Sequence, residues 1–169
     1  MTPAFLNALA KTLGFEGGIV DDPNDRGGLT KWGITQRTYD AWRVTTGQGT
    51  RPVTQMGDRE MRQIYFDEYW TPLRADEMPE DLAAAVFDMA VNSGHGNAVR
   101  TLQRSLGLDA DGVIGPLTIG ACARGSVLAF LRRRGGFIQD VIRKHPSDVE
   151  FLEGWINRLL DQAAMKART

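Results

Sequence analysis

The sequence is poor in cysteine and histidine, and it contains no long apolar run. Cys122 is the only cysteine among 169 residues, so the chain cannot form an intramolecular disulfide and must be stabilised by packing. Only His95 and His145 could supply imidazole ligands, and neither lies in an HExxH pattern, which argues against a zinc amidase. No run approaches the roughly 18 apolar residues of a membrane span, so we expect no membrane insertion.

The N-terminal residues also lack the pattern of a secretory signal, a charged region followed by a long apolar stretch. We therefore expect synthesis in the cytoplasm without a signal peptide, and any target outside would have to be reached by another route. A thiol peptidase would need Cys122 beside a histidine. Cys122 instead lies among small residues in a predicted helix, which is typical of a buried, inert thiol.

The composition, 42% hydrophobic and 24% charged, is that of a folded protein, and the length fits one compact body. The net charge of -1 conceals an asymmetry. Residues 1–95 carry 14 acids against 9 Lys and Arg, whereas residues 96–169 carry 7 acids against 11. The basic half includes the run Arg132-Arg133-Arg134, which is more typical of a solvated helix face than of a nucleic-acid site, so we expect no nucleic-acid partner.

Hydrophobic periodicity predicts an almost entirely helical chain. The predicted helices span 3–15, 36–43, 58–70, 80–92, 98–106, 116–123 and 126–143, with a last helix starting at a capping box over 147–150. The apolar stripe of 80–92 predicts a central buried helix. The last helix is expected to bury Phe151, Leu152, Trp155, Ile156, Leu159 and Leu160.

The exception is a glycine-rich, acidic stretch near residues 17–34, which contains short β-prone pieces at 19–20 and 31–32. It predicts a small irregular β-hairpin lobe on a mainly α fold. Glu16 lies where the first helix should end, and the negative pole of the helix dipole there favours a protonated carboxyl. Asp25 lies in a turn rich in donors and is expected to stay ionised.

A carboxyl pair in two different environments is the arrangement that glycoside hydrolysis requires, and Thr30 could help to hold a water opposite Glu16. The alternative is that Glu16 is a surface acid and that residues 21–25 form a solvated turn. A second acidic loop, Asp109 to Gly112, lacks the further ligands of a calcium site and is predicted to be a turn. We therefore expect neither a metal nor a cofactor.

Two segments resemble a known family. The motif Glu16-Gly17-Gly18, followed by Asp25-Arg26-Gly27-Gly28-Leu29-Thr30 and Gly33-Ile34-Thr35, is similar to the N-terminal motif of glycoside hydrolase family 108, the N-acetylmuramidases of phage endolysins and related secretion-activator proteins. The segments 87–94, 98–103 and 111–118 resemble the peptidoglycan-binding-like second half of that family. Together the resemblance extends from about residue 5 to residue 165.

The resemblance implies a lysozyme-like, mainly helical fold, with the catalytic glutamate at Glu16. It also implies a single body, 1–169, in which a catalytic half, 1–94, packs against a helical peptidoglycan-binding-like half, 95–169. A more distant similarity to phage lysozymes implies catalytic roles for Asp25 and Thr30, although Thr30 is one residue closer to Asp25 than in that pattern. Ile19 stands where an aromatic residue is common in the family, and Trp32 stands where a smaller aromatic residue is common.

Four further side chains are candidates for binding sugar. The rings of Trp32, Tyr69 and Trp70 could stack on sugar faces, with a core role as the alternative for Trp70. Asn92, at the end of a buried helix, could bind an acetamido group or cap that helix.

The sequence thus predicts a muramidase that cleaves the β-1,4 bond between N-acetylmuramic acid and N-acetylglucosamine in peptidoglycan glycan strands. A holin or another export route would give the enzyme, expected to be a monomer, access to the cell wall and periplasm. Two alternatives stay open: a lytic transglycosylase acting on the same bond, and a non-catalytic peptidoglycan-binding module.

Overall fold

Helices make up most of the chain in the computed structural model, which describes residues 1–14, 19–20 and 30–166. The helices in those ranges are α1 (Pro3–Leu13), α2 (Gln36–Thr45), α3 (Asp58–Tyr65), α4 (Glu80–Ser93), α5 (His95–Ser105), α6 (Pro116–Cys122), α7 (Val127–Lys144) and α8 (Leu152–Lys166). Three short antiparallel strands, β1 (Ile19–Val20), β2 (Thr30–Lys31) and β3 (Ile34–Thr35), form a sheet in that order. The predicted mainly α, lysozyme-like fold with a small β lobe is confirmed.

Helix α4 is the centre of the core, as its apolar stripe predicted. Leu82, Val86 and Phe87 are fully buried, and the helix contacts α1, α5 and α7. The Phe87 ring meets the rings of Phe5 in α1 and Trp70 edge-on, with centroids 6.0 and 5.5 Å apart. Edge-to-face aromatic pairs of this kind add to the stabilisation that burial alone provides. The first helix is thereby attached to the central one through aromatic rings.

The start of the last helix differs from the prediction. Residues Pro146–Phe151 form a 3₁₀ turn, and α8 begins only at Leu152. The Ser147 hydroxyl donates to the Asp148 carboxylate, 3.3 Å away, and does not cap the helix. The predicted capping box is therefore wrong, because the local side-chain bond competes with the cap.

The buried face of α8 also differs from the prediction. Phe151, Ile156 and Leu160 are 53%, 40% and 61% exposed, so the prediction that they are buried is wrong, whereas Arg158 is only 7% exposed. The helix is oriented so that the side bearing Arg158 and Leu159 faces the body of the protein. The predicted face is correct for Leu159, which packs against the core, and wrong for Phe151, Ile156 and Leu160.

Arg158 belongs to a buried ionic cluster, the Asp88 cluster, made of Asp88 in α4, Arg134 in α7 and Arg158 in α8. Arg134 Nη1 lies 2.6 Å from Asp88 Oδ2, and Arg158 Nη2 lies 2.9 Å from Asp88 Oδ1. The three side chains are less than one tenth exposed. Burial lowers the pKa of the Arg134 guanidinium, and the charge of Asp88 opposes that shift. The solvated face predicted for the arginine run is correct for Arg132 and Arg133 and wrong for Arg134.

The Asp88 cluster also reaches the first helix. Arg158 Nη2 donates to the backbone carbonyl of Thr12, 3.1 Å away, in the last turn of α1. Arg134 donates in addition to Gln162 Oε1 at 3.2 Å. One carboxylate and two guanidinium groups therefore connect α1, α4, α7 and α8.

A second polar network joins α2 to α3 around Glu60. Glu60 accepts hydrogen bonds from the buried Tyr39 hydroxyl at 3.0 Å and from Arg43 at 2.7 Å, and it pairs with Arg51. The Gly57 N–H donates to the same carboxylate at 3.0 Å. Burial alone would raise the pKa of Glu60, but the hydrogen bonds from Gly57 and Tyr39 and the two arginine charges outweigh it and lower the pKa.

This network predicts a pH-dependent contribution to stability. Because the folded pKa of Glu60 lies below its unfolded value, its contribution is complete above the unfolded pKa of about 4.3 and is lost as the pH falls through the folded value. We expect Glu60→Gln to lower the free energy of unfolding at neutral pH and to flatten its decline below about pH 5. Urea denaturation at a series of pH values measures both effects.

The matched control is Glu150→Gln, which removes an exposed acid that has no hydrogen bond to another described residue. It should leave the pH profile unchanged. Equal profiles for Glu60→Gln and the wild-type protein would show that the network does not contribute.

Candidate functional site

The acidic, glycine-rich stretch lies in the sequence between the end of α1, at Leu13, and the start of β2, at Thr30. Two of its predicted catalytic residues, Glu16 and Asp25, lie outside the described residues, whereas Thr30 lies in β2. The described parts on either side are the end of α1 and the hairpin formed by β2 and β3. Their geometry determines where the stretch begins and where it ends.

Helix α1 is held near both of its ends. The ring of Phe5 is fully buried, with its centroid 5.0 Å from that of Phe66 and 5.5 Å from that of Trp70. At the other end of the helix, the carbonyl of Thr12 accepts the hydrogen bond from Arg158. Thr12 precedes Glu16 by four residues in the sequence, so the Asp88 cluster fixes the last helical turn before the predicted acid.

The β2–β3 hairpin turns through two residues, Trp32 and Gly33. Both have positive φ angles, 51° and 73°, which is the backbone of the two-residue turns that match strand twist. Positive φ is costly for a tryptophan, and such strain persists only where surrounding contacts impose it. The Tyr65 hydroxyl donates to the Trp32 carbonyl at 2.7 Å. The Lys31 ammonium lies 4.5 Å from the Trp32 ring centroid and donates to two backbone carbonyls.

Thr30 lies in the middle strand of the sheet. It pairs with Val20 of β1 on one side and with Thr35 of β3 on the other. Its side chain is 9% exposed, and Thr35 caps α2 by accepting from the Thr38 N–H at 3.1 Å. The strand that carries Thr30 is therefore attached to α2 as well as to its neighbours.

Tyr69 and Trp70 lie in a π-helical turn, Phe66–Trp70, that continues α3. Such turns often occur at functional positions because they redirect side chains out of the helical register. Tyr69 is half-buried with its ring 5.6 Å from that of Tyr65, and burial, followed by the charge of Glu68, raises the pKa of its phenol. Trp70 is 1% exposed, so a sugar could reach its ring only after the surrounding helices moved.

Asn92 lies at the exposed end of α4. Its amide donates to the carbonyl of Asp88 in the same helix at 2.7 Å. It borders a cavity of about 200 Å³ that is also lined by Phe137 of α7 and Trp155 of α8.

The structure thus brings some of the predicted site residues together and separates others. Thr30 and Trp32 share the hairpin, and Tyr65 contacts both Trp32 and Tyr69. Trp70 lies in the core and Asn92 lies on another side of α4. The catalytic and sugar-binding roles of all these residues stay predictions.

Sequence reasoning missed the Asp88 cluster. The signal was present, because Asp88 is a lone acid inside the apolar stripe of the central helix. A buried carboxylate needs a charged partner, and its presence there predicts inward-facing arginines. Their identity as Arg134 and Arg158, 46 and 70 residues away, follows only from the three-dimensional packing.

The second acidic loop, Asp109 to Gly112, and the Cys122 thiol both make contacts within the protein. The Asp111 carboxylate accepts from the Val113 N–H at 2.8 Å and from the Gln103 amide at 2.6 Å, and these bonds lower its pKa. Cys122 is fully buried, and burial raises the pKa of its thiol to about 11. Within the described ranges, no three His, Cys, Asp or Glu side chains cluster as metal ligands would.

None of the helices in the described ranges combines the length and the apolar character that crossing a membrane requires.

Each half of the chain matches the model of a known protein family. Residues 9–94 match the family model described as glycosyl hydrolase 108, and residues 97–160 match a model described as a predicted peptidoglycan domain. The solved structure of Brucella abortus SagA superimposes with a TM-score of 0.78 and 29% sequence identity, over 95% of this chain and 92% of that one. A search among curated proteins found no match.

The strained hairpin yields a prediction about Tyr65. Tyr65→Phe removes the hydroxyl that donates to the Trp32 carbonyl while it keeps the buried ring. We expect the free energy of unfolding to fall by about 1 kcal/mol or more, because the carbonyl loses its partner. Urea denaturation measures the change.

Tyr69→Phe is the matched control, since the Tyr69 hydroxyl has no hydrogen bond to another described residue. It should change the free energy of unfolding by less than about 0.5 kcal/mol. If the two variants lose the same amount, the Tyr65–Trp32 bond does not stabilise the turn.

Proposed function

The chain belongs to the glycosyl hydrolase 108 family, and we propose that within this family it is an N-acetylmuramidase. The family and the peptidoglycan domain match support a glycosidase that acts on peptidoglycan. The proposed bond is the β-1,4 linkage between N-acetylmuramic acid and N-acetylglucosamine.

The observation that carries the proposal is the extent of the family match. Residues 9–94 include the three predicted catalytic residues Glu16, Asp25 and Thr30. The match also includes the C-terminal part of α1, the hairpin and the central helix α4. The motif and the elements on either side of it therefore belong to one matched unit of sequence, whereas Arg158, which anchors Thr12, lies in the part that matches the peptidoglycan domain.

In the proposed reaction, Glu16 acts as the general acid. It donates its proton to the glycosidic oxygen as the bond from that oxygen to the anomeric carbon breaks. A neutral carboxyl is needed at that moment, and the end of a helix disfavours the ionised form. The sugar cation that develops then takes up a water molecule.

Asp25 acts as the partner carboxylate in this proposal. It accepts a proton from the attacking water, and Thr30 helps to orient that water. A course with inversion requires the two carboxyls to lie about 6.5–9.5 Å apart, which leaves room for the water between them. Thr30 is already fixed in the middle strand, and this supports a positioning role.

Positioning matters because proton transfer in catalysis needs the acid within hydrogen-bond distance of its target. Misplacement by about 1 Å can reduce the rate by about a hundredfold. The anchoring of Thr12 by Arg158 and of Trp32 by Tyr65 supplies rigid ends for the stretch between them. We propose that Trp32 and Tyr69 contribute aromatic surface to the glycan cleft, and that a holin or another export route gives the enzyme access to the wall.

The test replaces Glu16 by glutamine, which keeps the shape of the side chain and removes its proton. We expect Glu16→Gln to reduce the rate of wall digestion by about 10²–10⁴-fold, the usual effect of losing a general acid. Turbidity of a suspension of purified sacculi measures the rate. Mass spectrometry of the fragments released by the wild-type protein should show free reducing ends and no anhydro sugars, since hydrolysis adds one water per bond.

The control is Glu153→Gln, an exposed acid in α8, which should digest sacculi at the wild-type rate. Unchanged melting temperatures for both variants show that they are folded. Undiminished digestion by Glu16→Gln would refute the acid assignment. Anhydro products would instead identify a lytic transglycosylase, and binding without digestion by the wild-type protein would identify a non-catalytic module.

A further inference from the structure

A groove between α5 and α7 is lined by an excess of positive charge. Its volume is about 630 Å³. The cations that line it are Arg100 and Arg104 from α5 and Arg132, Arg133 and Lys144 from α7. The one acid among the described lining residues is Asp140, whose carboxylate is paired with Arg143 at 2.7 Å.

Most of these cations have no partner in the described part of the protein. Arg104, Arg132, Arg133 and Lys144 are exposed, and none has a hydrogen bond or ion pair to another described residue. Arg100 differs, because its guanidinium lies against Gly112, where an added Cβ would approach it to 3.0 Å. The groove therefore presents four uncompensated charges and a fifth, Arg100, that also interacts with the charge of Asp111.

This arrangement has a cost for the folded protein. Arg100 and Arg104 are four residues apart on one helix face, a spacing at which like charges destabilise a helix. Arg133 and Lys144 are separated by eleven residues, or about 17 Å along α7. A single small anion would not span that length, whereas an extended chain with several negative groups would.

We infer that this groove binds the free carboxylates of the peptide stems of peptidoglycan. The inference rests on the proposed function, because it assumes the same polymer as the substrate. Guanidinium groups form bidentate hydrogen bonds with carboxylates, and four of the five cations are arginines. The groove residues also fall within 97–160, the part of the chain that matches the predicted peptidoglycan domain. The groove would hold the stems while the glycan backbone lies in the catalytic half.

Two other classes of polyanion fit the groove less well. Single-stranded nucleic acid binding relies on aromatic platforms, and Phe137 is the only Phe, Tyr or Trp among the described lining residues. A lipid surface is engaged by exposed apolar side chains beside the cations, and the large exposed apolar residues, such as Leu128 and Phe151, do not line the groove. The concave shape also favours a chain over a flat membrane.

The test measures binding separately from catalysis. All proteins carry Glu16→Gln so that the sacculi stay intact. The groove variant adds Arg104→Gln, Arg132→Gln and Arg133→Gln. The matched control adds Arg37→Gln, Arg59→Gln and Arg124→Gln, three exposed arginines that lie outside the groove and lose the same charge.

The readout is co-sedimentation with purified sacculi that are free of phosphate polymers, at low salt. We expect the groove variant to bind about tenfold more weakly than the parent, the sum of three modest surface charge contacts. The control variant should bind within about twofold of the parent, and binding by the parent should weaken as salt screens the charges. Sacculi whose carboxylates have been converted to methylamides should bind the parent as weakly as native sacculi bind the groove variant.

Equal binding by the groove and control variants would overturn the inference, and so would undiminished binding of the parent to methylamidated sacculi. Tighter binding of the parent to phosphatidylglycerol vesicles than to sacculi would assign the groove to a membrane surface instead. Equal melting temperatures of the variants exclude unfolding as the cause. Failure of the proposed function is seen separately, in the products released by the protein with Glu16 intact.

Discussion

The structure depends on one buried carboxylate. Asp88 in the central helix pairs with Arg134 and Arg158, which come from two helices of the second half of the chain. Each ion would be expensive to bury alone, and together they satisfy most of their hydrogen-bonding groups. Arg158 then uses a remaining N–H to hold the Thr12 carbonyl at the end of the first helix. Removal of any member would leave an uncompensated buried charge or an unpaired backbone carbonyl.

This connection gives the second half a part in the proposed catalysis. The helix that leads to Glu16 is held on one side by aromatic packing and on the other by an arginine from α8. The same α7 that supplies Arg134 to the core presents Arg132 and Arg133 to the groove on its outer side. The groove and the Asp88 cluster thus share helix α7.

The sequence was a sufficient guide wherever local patterns decide the structure. The 3.6-residue apolar stripe located α4, and the glycine-rich stretch located the β lobe between the first two helices. It failed for α8, where Ile156 and Leu160 were expected to be buried and are exposed. The reason is that Arg158 is held inward by a partner 70 residues away, and periodicity carries no information about such a partner. Thr30 was identified from the motif, and Trp32 and Tyr69 as aromatic rings that could stack on sugar, whereas the position of Tyr65 in contact with both Trp32 and Tyr69 required coordinates.

The most direct measurement of the central claim is hydrogen exchange in the Arg158→Met variant, with the exposed Arg143→Met as its control. Arg158→Met leaves Asp88 paired with Arg134, and it removes both the ion pair to Asp88 and the hydrogen bond to the Thr12 carbonyl. The account predicts that amides in the last turn of α1, residues 10–14, exchange at least about tenfold faster while those in α4 keep their protection, because local openings are independent of global unfolding. Unchanged exchange at residues 10–14, or an equal loss of protection throughout the protein, would contradict it.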